Sequence, residues 1–371
     1  MSRPEPSTAA AEALSPELEA ALTFRWSDLP TVTPELPGIG GRLRVSSDDF
    51  DVREIPAYLP EGRGSHTYVR VEKVGRTTRD LVTLLAAAGA PERAIGVAGL
   101  KDKVARTEQW LSVPNAHADA IAALEQADGV EVLEVSRHRN KLGIGHLLGN
   151  RFRIRVRDVD PAAHARATAI LAALAQRGTP NYVGPQRFGR FGRNAVDGYR
   201  ELLGQDVPGG HRLRRFFVAA LQSQLFNQLL AERVRDGTYT RVVRGDWARK
   251  HDTGGTFEVL DPDTESPRAE ALAISATLPL YGSKVRLSGG DAGEAEARLL
   301  QRLGLQWAQF RSRRGDRRIT RIATLEADIV SDGDDLVVSF MLPKGSYATT
   351  LMRELMKVEV DAPLDATSDE V

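Results

Sequence analysis

The sequence predicts an α+β protein of two domains, and three observations carry that expectation. Strand-like runs arrive in turn-linked pairs rather than each being followed by a helix, which argues against a regular doubly wound sheet. Helical patterns stand between them with no internal repeat. The 371 residues exceed one ordinary domain, since about 100–200 residues make one.

Taken in order, residues 1–24 are rich in Ala, Pro, Ser and Glu and are expected to form a flexible extension. Arg42 to Val45 and Phe50 to Ile55 read as strands joined by the turn Ser46-Ser47-Asp48-Asp49. Thr67 to Val74 alternates as a strand does. Thr77 or Thr78 caps a helix to about Ala88, which stops at Gly89. Ile95 to Ala98 is a short apolar strand leading into Gly99-Leu100-Lys101-Asp102-Lys103. Strand Gln109 to Val113, a helix near Ala118 to Gln126, and strand Val130 to Val135 follow. Arg151 to Arg157 alternates basic and apolar residues, which predicts one buried and one cationic face. Pro161 suits the first turn of an Ala-rich helix to Gln176. A Gly, Pro and Arg-rich stretch from Gly178 then opens the second domain. Arg214 to Arg235 is the longest helical pattern, with Phe217, Leu221, Leu225 and Leu229 at a spacing of four. Strands are expected at Thr240 to Val243, Thr256 to Leu260, Ile322 to Val330 and Asp335 to Leu342, and a helix at about Tyr347 to Val358.

Composition narrows the function. The absence of cysteine excludes structural disulfides, thiolate catalysis and zinc or iron–sulfur sites built from Cys. No window approaches the roughly 18 apolar residues of a membrane span, and no basic start with an apolar core marks a secretory signal. A soluble, cytoplasmic protein is expected. The net charge of zero conceals an uneven distribution. Residues 1–24 and 359–371 hold one base and nine acids, which leaves 49 bases against 41 acids between them. Arg137 to Arg157 contains seven Lys or Arg and no acid, and Arg311 to Arg321 six Arg with Asp316. Such runs are either solvated faces or phosphate-binding surfaces.

The seven histidines form no pair at ligand spacing, and there is no GxSxG, P-loop or GxGxxG after a strand. The chemically suggestive place is Gly99–Lys103, where an apolar strand ends at glycine and a carboxylate stands between two ammonium groups. Nearby cations favour the ionised carboxylate. Such a group acts as a nucleophile or stabilises a cationic sugar. A plainer role, an Asx-type turn residue bonded to its own backbone, uses the same spacing.

At this loop the chain resembles the TruD-type tRNA pseudouridine synthases. Ala98-Gly-Leu-Lys-Asp-Lys-Val-Ala-Arg-Thr-Glu-Gln-Trp-Leu111 is similar to the family's signature. So are Asp49-Phe50 with Glu54, Leu148-Gly-Asn-Arg-Phe152, Pro180 to Gly189, Gln224 to Asn227, Leu342 to Thr349 and Arg353-Glu-Leu355, in the family's order. The likeness runs from about residue 40 to 358. It implies isomerisation of one uridine in tRNA, position 13 of the D-arm region, to pseudouridine, with no cofactor and no metal. It assigns Asp102 as nucleophile, by a covalent or a glycal route, with Arg44 as its charge partner where many relatives have Lys. Phe50, Phe152 and Tyr347 would stack on a flipped-out base, whose extrusion costs a few kcal/mol. Asn150 would bond the uracil edge or hold the loop. Lys101 and Lys103 would meet phosphate or position the loop.

The resemblance further implies a pseudouridine synthase catalytic domain with a mixed, largely antiparallel sheet and flanking helices, from 25–177 and 321–358. An inserted α/β TRUD domain would occupy 178–320, and an acidic tail 359–371. The basic runs would line the cleft between the domains. The expected partner is tRNA, with no membrane, no obligate protein partner and a monomeric state. The alternative is an RNA-binding or RNA-folding protein whose catalysis is secondary or lost. A glycosidic hydrolase would need a second carboxylate, for which Glu54 is the one nearby candidate.

Overall fold

The computed structural model describes residues 14–360; the expectations for residues 1–13 and 361–371 lie outside them. The chain divides into two compact units. One comprises Thr33–Ala175 and Ile322–Val358; the other comprises Gln176–Arg321 with the described residues 14–32 and 359–360.

The first unit is built on an eight-stranded sheet. Its order is Leu325–Asp332, Asp335–Pro343, Leu147–Val156, Phe50–Pro56, Arg106–Pro114, His66–Lys73 and Val130–His138, with Gly96–Val97 on Arg106–Pro114. Phe50–Pro56 and Arg106–Pro114 run parallel. The remaining pairings are antiparallel. A parallel pair needs a long crossover, and residues 57–105 supply it. Within that crossover lies helix Thr78–Ala87, whose capping box pairs Thr77 with Asp80. The helix buries Leu81 and Leu85 against Val69, Val71, Leu111 and Val113 of the sheet. The alternation of Phe50–Pro56 turns Phe50, Val52 and Glu54 inward together.

The second unit centres on helix His211–Arg235, which buries Phe217, Leu221, Leu225 and Leu229 on one stripe as their spacing predicts. Its four-stranded sheet runs Asp316–Ile319, Ile274–Leu280, Trp247–Lys250, Thr256–Glu258. Residues 14–32 group here, whereas the sequence divides them between an extension and the catalytic domain. Pro16–Leu22 is helical. Phe24 stacks on Phe188 at 4.4 Å, and the Tyr182 hydroxyl donates to the Pro30 carbonyl.

Two expected strands do not form. Residues 43–49 hold no strand, because Arg44 adopts a left-handed φ of 55° and Ser47–Asp49 is a 3-10 turn. Thr240 to Val243 is turn and loop, tied by the Val243 amide to Asp246. Strand Ile274–Leu280 went unforeseen because it is buried along nearly its whole length and shows no alternation.

Candidate active site

The loop from Ala98 to Ala105 joins two antiparallel strands and carries Asp102. Its backbone is pinned at several points. The Lys101 amide donates to Thr78 Oγ1 at 2.8 Å, and the Lys101 carbonyl accepts from the Thr78 amide at 3.4 Å. Lys73 Nζ donates to the Asp102 carbonyl at 2.6 Å. The Asp102 side chain remains 31 % exposed, so a reactant can reach it.

Facing it is Arg44, whose side chain is only 10 % exposed. Arg44 Nη2 lies 3.6 Å from Asp102 Oδ2, an ion-pair distance longer than a hydrogen bond. The guanidinium covers the Phe50 ring at 4.4 Å. Its Nε and Nη1 are buried with no hydrogen-bond partner. Burial pulls the guanidinium below its ordinary pKa, and Asp102 pushes it back up. Buried donors left unpaired cost about 1–3 kcal/mol each.

Below this pair lies an aromatic floor. Phe152 meets Phe50 edge-on at 6.2 Å and stacks on Phe340 at 5.3 Å. Strand register produces the cluster: Phe152 stands opposite Val52 on one side and Phe340 on the other. Asn150 lies two residues from Phe152, opposite Glu54 and Leu342, on the same face. Its Oδ1 is buried and unpartnered. Tyr347, half-buried, stands at the N-cap of helix Ala348–Met356, just past the strand end where Pro343 pairs with Gly149.

Thus Arg44, Phe50, Asp102 and Phe152 are joined by direct contacts, and Asn150 shares the Phe152 face. Phe50 and Phe152 are both buried, so they present a floor and not open stacking faces. Lys101 is committed elsewhere: its Nζ meets Glu54 Oε2 at 2.9 Å with both side chains buried. Of its two expected roles, that pairing fits loop positioning and takes the ammonium away from phosphate. Glu54 is likewise tied into the fold, its Oε2 by Lys101 and its Oε1 by the Trp110 amide at 3.4 Å. Lys73 and Phe340, which the sequence did not single out, are in contact with the Asp102 carbonyl and the Phe152 ring. Strand alternation with Val69 and Val71 would have placed Lys73 on the inner face.

Many arginines of the basic runs have acidic partners from elsewhere in the chain. Arg157 pairs with Asp49 and Asp335, Arg155 with Asp332 and Asp335, Arg151 with Glu326, and Arg139 with Glu61. In the second run, Arg313 pairs with Glu201, Arg317 bonds Glu296 and Thr277, and Arg318 bonds Asn181. Arg321 is fully buried, whereas Arg311 and Arg314 are exposed. Among the described residues no group of three or more His, Asp or Glu side chains is arranged to hold a metal ion. No described helix is long and apolar enough to cross a membrane.

Comparison with known proteins follows the same outline. The family profile described as tRNA pseudouridine synthase D (TruD) matches residues 28–196 and 206–355. A protein named tRNA pseudouridine synthase D from Thermus thermophilus is 49 % identical over 346 residues, covering 93 % of this chain and 97 % of its own length. One of the same name from Anaeromyxobacter dehalogenans is 50 % identical over 347 residues, covering 91 % and 99 %. The crystal structure of a putative tRNA pseudouridine synthase D from Methanosarcina mazei superposes with a TM-score of 0.73 at 25 % identity, covering 93 % of this chain and 98 % of that one.

Proposed function

The chain belongs to the tRNA pseudouridine synthase D (TruD) family, and from that premise we propose that it isomerises uridine 13, in the D-arm region of transfer RNA, with Asp102 as the nucleophile. The observation that carries the reading is the Arg44–Asp102 pair: an accessible carboxylate facing a buried guanidinium that keeps two donors unpartnered.

The residues act in sequence. The target uridine leaves its stack and enters over the Phe50–Phe152 floor, which supplies apolar contact to a base. Arg44 sets its positive charge 3.6 Å from the Asp102 carboxylate. The glycosidic bond from uracil N1 to ribose C1′ breaks, and its electron pair leaves with the uracil. Asp102 answers the deficiency at C1′ in one of two ways: it bonds C1′, and that ester bond breaks as C5 attacks, or it takes the C2′ proton to leave a glycal and returns it as C5 attacks. The uracil turns and C5 joins C1′. The C5 proton departs and N1 regains one, so atoms and charge balance without redox change. Arg44 Nε and Nη1 are suited to a uracil or phosphate oxygen. Asn150 Oδ1 is suited to the uracil N3–H. Tyr347 and Lys103 are assigned to the rim, against base and phosphate. The catalytic role falls to the unit of Thr33–Ala175 and Ile322–Val358, in the cytoplasm.

Pseudouridine mapping by carbodiimide and primer extension on unmodified tRNA tests this. The native chain is expected to give one stop at position 13, and Asp102→Asn none at equal tRNA affinity. Product from Asp102→Asn at the native rate refutes the assignment. Binding with no product from the native chain would favour an RNA-binding role instead.

A further inference from the structure

We propose that Lys73 is a positioning residue of the catalytic loop, its buried ammonium clamping the Asp102 carbonyl and so aiming the Asp102 carboxylate at the substrate. The inference rests on the assignment of Asp102 as nucleophile.

Lys73 ends the strand His66–Lys73 on the face that carries Val69 and Val71, and its side chain is fully buried. Apolar residues suit such a place, and an ammonium there is costly. Its Nζ donates to two main-chain carbonyls, Arg76 at 2.5 Å and Asp102 at 2.6 Å. The charged groups that face it are Asp102 and Lys101 of the loop and Asp80 of helix Thr78–Ala87. The geometry has a specific result. The peptide before the Asp102 Cα is held through the Lys101 carbonyl by Thr78, and the peptide after it through the Asp102 carbonyl by Lys73. With both flanking peptides held, the direction of the Cα–Cβ bond is set, and the carboxylate can vary only about its own χ angles. Catalysis tolerates little error in that direction.

Burial brings the Lys73 amine down to about 8. Above that pH its bonds to the two carbonyls change from charge-assisted to neutral and weaken. The effects on stability and on rate then have opposite signs. Between about pH 8 and the ordinary lysine value near 10.4, the folded chain binds fewer protons at this site than the unfolded chain, so this group's contribution to stability rises with pH. The rate constant falls over the same interval as the loop loosens.

Single-turnover rates at saturating enzyme, with unmodified tRNA from pH 6.5 to 9.5, test the proposal. The native rate is expected to fall about tenfold with a midpoint near 8, while tRNA affinity stays constant. Lys73→Arg, permanently charged, should lack that alkaline limb. Lys73→Met should be about 100-fold slower at every pH, also without the limb. Circular dichroism melts accompany each variant. An unchanged limb in Lys73→Arg or Lys73→Met, or a Lys73→Met rate within twofold of native at pH 7, overturns the proposal. Where neither variant folds, a native rate that is flat from pH 7 to 9 refutes it and a limb near 8 supports it. Asp102→Asn in the same assay separates the two readings: product from it removes the nucleophile, whereas an inactive Asp102→Asn beside a pH-insensitive native enzyme removes only the clamp.

Discussion

Arg44 and Arg321 are both buried, yet their surroundings make them different kinds of residue. Arg321 donates to Ser275 Oγ and to the carbonyls of Arg177, Ala269 and Ile274, and its guanidinium lies 5.8 Å from the Tyr239 ring. No carboxylate is needed, because main-chain oxygens answer its donors. Arg44 has a carboxylate at 3.6 Å, a phenyl ring beneath it, and two N–H groups with nothing to meet. Burial lowers the pKa of each. What separates them is hydrogen bonding: the Arg321 guanidinium is answered at Nε, Nη1 and Nη2, whereas Arg44 Nε and Nη1 have no partner. A count of basic residues cannot make that distinction.

The contrast can be broken in both directions. The largest effect is expected from Arg321→Met, which takes a donor from Ser275 Oγ and from the carbonyls of Arg177, Ala269 and Ile274. Thermal or urea denaturation should show a loss of about 3 kcal/mol or more, while chains still folded at low temperature keep their rate within a few-fold. Arg44→Met should do the opposite. Its single-turnover rate is expected to fall about 100-fold, or roughly 2.7 kcal/mol of barrier, with the melting temperature unchanged or raised. A melting temperature for Arg44→Met as low as that of Arg321→Met would erase the distinction. Arg44→Lys sharpens it, because the charge stays but the planar fork is lost; a deficit of about tenfold is expected, seen in the rate and not in the melt. Smallest is Arg314→Ala, at an exposed member of the same run as Arg321. Its melting curve should match the native one, and the slope of log affinity against log salt should drop by about one. An unchanged slope would deny Arg314 any phosphate contact.

The same distinction explains what could be read in advance. The Gly99–Lys103 loop was legible because it is short and its marks are local, a strand end, a glycine and flanking ammonium groups, whereas the resemblance and not those marks assigned Asp102 a role. Helix Thr78–Ala87 was legible for the same reason, with Thr77 at one end and Gly89 at the other. The arginine runs were not, since their acids come from far along the chain. Asp335 lies 178 residues from Arg157, and Asp49 lies 108 from it. Arg42 to Val45 looked extended because nothing in its composition announces a positive φ at Arg44. Ile274–Leu280 was hidden by its continuous burial and by Pro279, which counts against a strand interior. A lysine at a strand end suggests solvent, yet the phase set by Val69 and Val71 turns Lys73 inward.

The sheet order also governs how the enzyme comes into being. Strand Leu147–Val156 is flanked by Phe50–Pro56 on one side and Asp335–Pro343 on the other. Translation reaches the second neighbour, at Asp335, only 179 residues after Val156 completes the strand. At about 5–20 residues per second, that strand waits on the order of ten to thirty seconds with half its main-chain hydrogen bonds unmade. Stalled ribosomes carrying chains that end before residue 325 should therefore display a protease-sensitive, chaperone-binding edge that disappears once the C-terminal hairpin emerges. The hairpin brings Phe340 with it, so the cluster of Phe50, Phe152 and Phe340 is completed only near the end of synthesis.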